Sequence, residues 1–312
     1  MQPKYPFPES FVSTNIEERG QEGVDWLKRL PSILADCEQR WSIKLGPPFQ
    51  ALSYNYAAPA VRSDGSSLVL KVCVPDKDFI SEVEALRLYS GVGAAQLYEH
   101  DIALGVMLLE RLTPGVMLSS VESDVEAIAI AASVMRNIWH APPAGHHFLH
   151  VSDWAKGIER LRAQFDGGPG PFPERLVRKA EGLFADLLAS MDAPMVLHGD
   201  LHHFNILSAQ RQPWLAIDPK GIIGEPAYET GAFIRNPMPD IFFAPDLSRL
   251  LDKRIRLFAE ELGFDPVRIY GWATAQAVLS AWWTFEDNGG LLTDDFLASV
   301  EFAQTLADLP GW

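Results

Sequence analysis

Cysteine is scarce in these 312 residues: only Cys37 and Cys73 occur. Cys73 lies in an apolar, strand-like run, where a buried free thiol is the ordinary reading. Nothing demands an oxidising compartment, and a cytoplasmic location is expected. Long apolar stretches are lacking too. The longest, such as Ala127 to Met135, stop short of the ~18 residues a membrane span needs, so no membrane partner is expected. Met1, Gln2, Pro3, Lys4, Tyr5 and Pro6 carry no apolar run, so no secretory signal is read there. Positive charge is in deficit: 26 Lys and Arg stand against 41 Asp and Glu, a net −15. That balance repels phosphate backbones and argues against a nucleic-acid partner. It is compatible with a cationic substrate, although acidity equally serves solubility. No G-x-S-x-G pattern occurs, which removes the support for serine-hydrolase chemistry. No internal repeat or low-complexity tract is visible.

What is present is the composition of an ordinary globular protein, with 47% apolar residues and enough length for about two units. The first forty residues read as a mixed polar leader with helical content from Val24 to Leu34. From Trp41 to Leu112 the pattern is short and strand-like. Ser67 to Val74 is rich in β-formers and follows the turn pair Asp64-Gly65, which predicts a hairpin. A helix is predicted from Asp78 to Ser90, stopped by Gly91 and Gly93, followed by strands at Ala95–Tyr98 and Ala103–Glu110. Beyond Thr113-Pro114-Gly115 the chain turns mainly helical. Ser123 and Glu126 have capping-box spacing, and Ile128, Ala131, Met135 and Ile138 share one helical face. Further helices are predicted from Trp154 to Phe165 and from about Pro173 to Ser190, and over most of the last eighty residues. The expectation is an α+β chain in two parts: residues 1–112 as leader and small β-rich lobe, residues 113–312 as a larger helical lobe.

The strongest chemical signal is His198-Gly199-Asp200-Leu201-His202-His203-Phe204-Asn205, followed by two apolar residues, a turn, a short apolar strand and Asp218. Phosphoryl transfer needs a carboxylate to orient and accept the proton of an attacking hydroxyl, and Asp200 suits that role. It also needs hard oxygen ligands for Mg²⁺, which Asn205 and Asp218 supply. An Asp and Asn five apart also suit a loop that hydrogen-bonds to its own backbone. The conjunction of both apolar strands, the Asp-Asn offset and the later Asp favours phosphoryl transfer. Upstream, Lys71 sits in an otherwise apolar strand. It is read either as an edge charge against aggregation or as the ammonium that clamps the phosphates of ATP. Glu82 and Glu84 on the following helix are its candidate partners.

The segment from His198 to Leu207 resembles the catalytic loop of the aminoglycoside phosphotransferase family, which has the protein-kinase-like fold. Ile217 to Gly221 and Gly224 to Glu229 resemble the streptomycin kinase and hydroxyurea kinase branch of that family. Leu108 to Leu112 with Pro114-Gly115 is similar to its lobe-connecting segment, and Trp139-His140 closing a helix before Pro142 is also similar. The resemblance covers roughly Lys71 to Tyr228. It implies an ATP- and Mg²⁺-dependent transfer of phosphate to a hydroxyl of a small polar molecule such as streptomycin, with hydroxyurea, another metabolite, or a regulatory nucleotide-binding role as alternatives. It also implies adenine reception by the backbone at Glu110 to Leu112. In such kinases the partner of the strand lysine stands nine before a helix-ending glycine, which selects Glu82 by its distance from Gly91. Two departures are plain. Ser53 to Ala58 occupies the place of the phosphate-covering loop without its glycines, and Pro219 replaces the aromatic residue that follows the metal-binding Asp in protein kinases. Proline fixes φ, so a constitutively formed metal site is expected.

For the acceptor, Glu225, Glu229, Glu286 and Asp287 are the candidate carboxylates. The last two follow Trp282-Trp283, and aromatic neighbours suit a guanidinium or ammonium group. The bland reading puts those tryptophans in the core. His198 is read as bracing the loop and His202 as lining the acceptor pocket. A zinc site at His198 and His202 is disfavoured, because Gly199 stands where a zinc-protease helix needs Glu.

Overall fold

The computed structural model describes residues 4–50, 52 and 54–312. Met1 to Pro3 and Ser53, named above for the N-terminal segment and the phosphate-covering loop, lie outside the described residues.

The leader is a long helix, α1 (Glu9–Arg40), interrupted at Gly20, whose φ of +55° and ψ of −128° leave the helical region. Its buried side, Phe11, Trp26, Leu30, Leu34 and Cys37, packs on Tyr56, Leu70, Val72, Val106 and Leu108 of the adjoining sheet. Fully burying each such Leu contributes roughly 1.5–3 kcal/mol, so the leader is a component of the small lobe's core. That sheet has five antiparallel strands in the order β1 (Ile43–Leu45), β2 (Tyr56–Arg62), β3 (Ser67–Val72), β5 (Val106–Glu110) and β4 (Leu97–Asp101). The β2–β3 turn closes with Arg62 N donating to Ser66 O, Gly65 at φ +87°, and the Asp64 carboxylate accepting from Ser66 N.

Helix α2 (Lys77–Tyr89) starts where Asp76 accepts from Phe79 N and ends at Ser90 in the left-handed conformation. Two strands differ from expectation. Ala94 and Ala95 pair with Ala216 of the other lobe, so β4 begins only at Leu97. Leu104 and Gly105 are spent in a turn, with Leu104 N donating to Asp101 Oδ1, so β5 begins at Val106.

The larger lobe follows with β6 (Pro114–Met117), α3 (Asp124–Ile138), β7 (Leu149–His150), α4 (Val151–Gln164), α5 (Glu174–Ala189), β8 (Met195–Leu197), β9 (Ile206–Ala209), β10 (Trp214–Ala216), β11 (Ile222–Gly224), α6 (Pro226–Ile234), α7 (Leu247–Leu262), α8 (Pro266–Asp287) and α9 (Asp294–Ala307). Ser123 caps α3 by accepting from Glu126 N at 3.3 Å. The apolar helix α8 runs through the middle with Trp272 and Trp282 fully buried, and α4, α5, α6, α7 and α9 all pack on it. Two small sheets, β10–β9–β6 and β7–β11–β8, position the chemistry. The motif from His198 to Asn205 is strung between β8 and β9, and Asp218 follows β10. The chain is an α+β protein with the two-lobed protein-kinase-like fold.

Candidate active site

The loop that carries Asp200 is held by its own buried residues. Glu229, on α6 and fully buried, accepts from His198 N at 2.6 Å and Gly199 N at 2.9 Å. Gly199 has φ +85°, and a Cβ there would meet Ile222 at 2.9 Å and Trp154 at 3.0 Å, so the approach needs glycine. The His198 ring donates from Nε2 to Ile217 O at 2.8 Å and accepts at Nδ1 from Asp200 N at 3.2 Å. That pattern is the neutral tautomer, and burial pushes its pKa down to about 4. Asn205 Nδ2 donates to Asp200 O at 3.0 Å, which leaves the amide oxygen as the free group of Asn205.

Lys71 projects from β3 into the space between the lobes. Its Nζ donates to Glu82 Oε1 at 2.6 Å and to Asp218 Oδ1 at 3.1 Å. Burial alone would depress the Lys71 pKa, but the Asp218 and Glu82 carboxylates overturn that and hold the ammonium charged. Asp218 has φ +58°, a costly conformation for a residue with a Cβ and one that clusters at functional sites. Burial would raise its pKa, yet Lys71 keeps it below the usual carboxylate range. Asp200 behaves likewise: burial opposes ionisation, and His202, Arg235 and Lys220 prevail. Arg235 Nη2 reaches Asp200 Oδ1 at 3.3 Å while its Nη1 donates to Gln276 Oε1 at 2.6 Å.

Two cavities meet at this loop. One, of about 550 Å³, is lined by Lys71, Glu82, His202, Asn205 and Asp218, with Arg19, Tyr54, Asn55 and Asp287 at its walls. The other, of about 700 Å³, is lined by Lys77, Asp153, Trp154, Arg160, Arg235 and Trp283 among others. Asp200 lines both. The hard oxygens of Asn205 and Asp218 beside the Lys71 ammonium fit a Mg²⁺ bound with phosphates.

The structure therefore brings Lys71, Glu82, Asp200, Asn205 and Asp218 together. Other candidates are disposed differently. Glu225 and Glu229 line neither cavity: Glu229 braces the loop that carries Asp200, and Glu225 is buried against Arg268 and Trp272 Nε1. Glu286 lies in a bidentate pair with Arg160, at 2.9 and 3.0 Å. Asp287 lines the smaller cavity. His202 lines that same cavity instead of the larger one, its Nε2 3.7 Å from Asp200 Oδ2. Glu84 pairs with His147. Trp282 is core, whereas Trp283 faces the larger cavity. Glu110, at the end of β5, accepts from Arg211 and from Gln96 N, and Leu112 packs with Ala95 and Leu215. Neither lines the two cavities. Arg19, Arg235 and Lys220 were not singled out by sequence, since each comes from outside the motif's Asp and Asn positions.

The sequence matches the profile of the aminoglycoside/hydroxyurea antibiotic resistance kinase family over residues 46–289. It is 30% identical over 301 residues to streptomycin 6-kinase of Streptomyces griseus, covering 96% of each chain. It is also 30% identical over 300 residues to hydroxyurea phosphotransferase of Kitasatospora aureofaciens, covering 94% of this chain and 84% of that one. Among solved structures, a thermostable mutant of aminoglycoside phosphotransferase APH(4)-Ia in ternary complex with ADP and hygromycin B superposes with a TM-score of 0.63 at 15% identity, over 90% of this chain and 99% of that one. Choline kinase LicA from Streptococcus pneumoniae superposes with a TM-score of 0.61, over 88% and 98%. No helix among the described residues is long and apolar enough to cross a membrane. With its matched lobes and a carboxylate, amide, carboxylate and ammonium gathered in one cleft, the chain belongs to the aminoglycoside/hydroxyurea antibiotic resistance kinase family and is a phosphotransferase acting on a hydroxyl group.

Proposed function

We propose that the chain transfers the γ-phosphoryl group of Mg·ATP to a hydroxyl of an aminoglycoside such as streptomycin. Residues 1–112 bind the nucleotide and residues 113–312 supply the catalytic loop and the acceptor site. The carrying observation is that Asp200 lies on the shared wall of two cavities, one rich in phosphate and metal ligands, the other large and aromatic. A volume of about 700 Å³ is the size of a drug-sized pocket. Trp154, Trp283, Asp153 and Asp78 on its walls suit guanidinium or ammonium groups.

In this mechanism the Asp200 carboxylate orients the acceptor hydroxyl and takes its proton. The acceptor oxygen–phosphorus bond forms as the bond from Pγ to the β–γ bridging oxygen breaks, and the electron pair stays on ADP. Lys71, fixed by Glu82, holds the phosphates, while Asn205 and Asp218 would hold Mg²⁺, which supplies charge neutralisation when bound. The adenine extends beyond the smaller cavity to the backbone from Glu110 to Leu112. Asp200 remains ionised despite burial because His202, Arg235 and Lys220 sustain its charge, so it is ready as a base at neutral pH.

A small neutral or anionic hydroxyl compound, such as hydroxyurea, is the second reading. Lys77 and Lys220, cations without a carboxylate partner within 4.0 Å among the described residues, line the same cavity and favour it. A coupled ADP-release screen over aminoglycosides, sugars, amino alcohols and hydroxyurea, with Asp200→Ala as control, separates the two. Turnover on the aminoglycosides supports the first reading, turnover on hydroxyurea alone the second. Release that persists unchanged in the control removes both.

A further inference from the structure

Three residues line both cavities: Asp78, Asp200 and Lys220. The boundary between them is where a phosphoryl group must travel if the smaller cavity holds nucleotide and the larger holds acceptor. Asp78 and Asp200 are negative, so Lys220 is the sole cation at the crossing among the described residues.

Of the other positive groups nearby, Lys77 is likewise unpaired among the described residues but lines only the larger cavity, away from the crossing, and the rest are held. The Lys71 ammonium is shared between Glu82 and Asp218. The Arg235 guanidinium is held by Gln276 and Asp200, and Arg160 by Glu286. Lys220 has no carboxylate within 4.0 Å and no side-chain hydrogen bond among the described residues. Its backbone, in contrast, is fixed. Lys220 N donates to His198 O at 2.8 Å, and Gly221 N reaches the same carbonyl at 3.2 Å. The β-carbon of Lys220 also sits where a Cβ on Gly199 would meet it at 3.2 Å, packed against the catalytic loop. A pinned stem with an unengaged head is the arrangement of a charge held ready for a ligand.

We propose that Lys220 is a catalytic residue whose ammonium contacts the phosphoryl group in transit between nucleotide and acceptor. This rests on the phosphotransfer reading above and adds to it the cation that meets the transferring group. In the loose transition state the charge is spread over the three equatorial oxygens of that group, while the bridging oxygen leaves with its electron pair. A cation at the crossing stabilises those oxygens more in transit than when they belong to ATP or to product, and that difference accelerates the step.

The test is steady-state kinetics of Lys220→Met and Lys220→Arg on an acceptor that the wild type phosphorylates, with calorimetry of Mg·ADP binding. Lys220→Met should lower kcat on the order of 10²–10³-fold, the loss seen for an electrostatic donor at a transition state. The KM for ATP and the affinity for Mg·ADP should stay within about threefold, since only transition-state binding is lost. Lys220→Arg, which keeps the charge, should recover at least about tenfold of the deficit. A second readout needs no acceptor. Aluminium fluoride, which mimics the phosphoryl group in transit, should tighten Mg·ADP binding to the wild type and fail to do so in Lys220→Met. Wild-type kcat in Lys220→Met, or a loss confined to KM, would overturn the assignment of Lys220 while leaving phosphotransfer intact. If the wild type itself turns over no acceptor and binds no Mg·ADP, the phosphotransfer reading fails first. Should Lys220→Met not fold, Lys220→Gln takes its place in the same measurements.

Discussion

Replacing Glu229 by Gln gives a sharp test of what holds the catalytic loop. Glu229 is fully buried and both its oxygens accept backbone protons, from His198 and Gly199. Burial dominates those two donors and pushes the carboxyl up to about 7 from an ordinary 4.5. A group whose folded pKa exceeds its unfolded value stabilises the fold fully below the unfolded pKa, and loses that contribution as pH rises through the folded one. The separation of 4.5 and about 7, at 1.36 kcal/mol per unit, makes the loss about 3 kcal/mol, spread over that window. Glutamine has the same shape and cannot ionise, so Glu229→Gln lacks the loss. Its amide keeps one acceptor and turns an NH₂ toward the other N–H, a mismatch of about 1–3 kcal/mol that does not vary with pH. Urea unfolding of both proteins from pH 4.5 to 8.5 should therefore show the variant gaining about 3 kcal/mol on the wild type as pH rises. A stability difference that is flat across that range, or that moves against the variant, would refute a burial-dominated carboxyl under the loop.

Three further outcomes follow from the same geometry. Asp200→Ala should lower kcat by roughly 10²–10⁴-fold while leaving Mg·ADP binding in place, as stopped ADP release beside calorimetry would show; equal loss of both would make Asp200 a nucleotide ligand instead. Asp218→Asn halves the charge pairing of Lys71 and removes a metal-directed carboxylate. It should abolish the magnesium dependence of nucleotide affinity, and a magnesium titration with unchanged affinity gain would count against it. Arg268→Ala strips the buried Glu225 of its ion pair and leaves it Trp272 alone, which costs about 3–5 kcal/mol in chemical unfolding. The acceptor KM of the folded fraction should not move, and a large rise would return Glu225 to the acceptor site.

The catalytic loop was legible because its chemistry demands unlike residue types at fixed offsets along one short stretch. Asp200, Asn205 and Asp218 are tied by loop length and by strands β9 and β10, so spacing in sequence becomes spacing in space. Lys71 stood out as a charge in an apolar strand, but Glu82 and Glu84 were equivalent by local pattern, and only the family resemblance, through the distance to Gly91, selected Glu82. The carboxylates past Asp218 were not. Spacing puts Glu225 and Glu229 near the site, but it does not say that α6 turns Glu229 inward beneath the loop and Glu225 against α8. An acid that braces a site and an acid that meets substrate look alike until the partner donors are known.

The leader shows the complementary failure. Local pattern predicts helical content only from Val24 to Leu34, whereas the helix runs from Glu9 to Arg40. In the fold, Pro31 stays inside the helix and Gly20 interrupts it at a bend across which it resumes, with Phe11, Trp26, Leu30 and Leu34 on both sides buried against the sheet. Tertiary burial of several large side chains outweighs the roughly 3 kcal/mol penalty of an interior proline. The bend has a consequence at the site. It carries Arg19 to the wall of the smaller cavity, where its Nε is buried without a hydrogen-bond partner. A glycine-rich cover would offer backbone N–H groups to phosphates on that wall. Here Tyr54 and Asn55 line it without glycine, and a guanidinium from a helix before the first strand stands beside them. That guanidinium, 3.7 Å from the Asp76 carboxylate, comes from a part of the chain that no local motif connects to the covering segment.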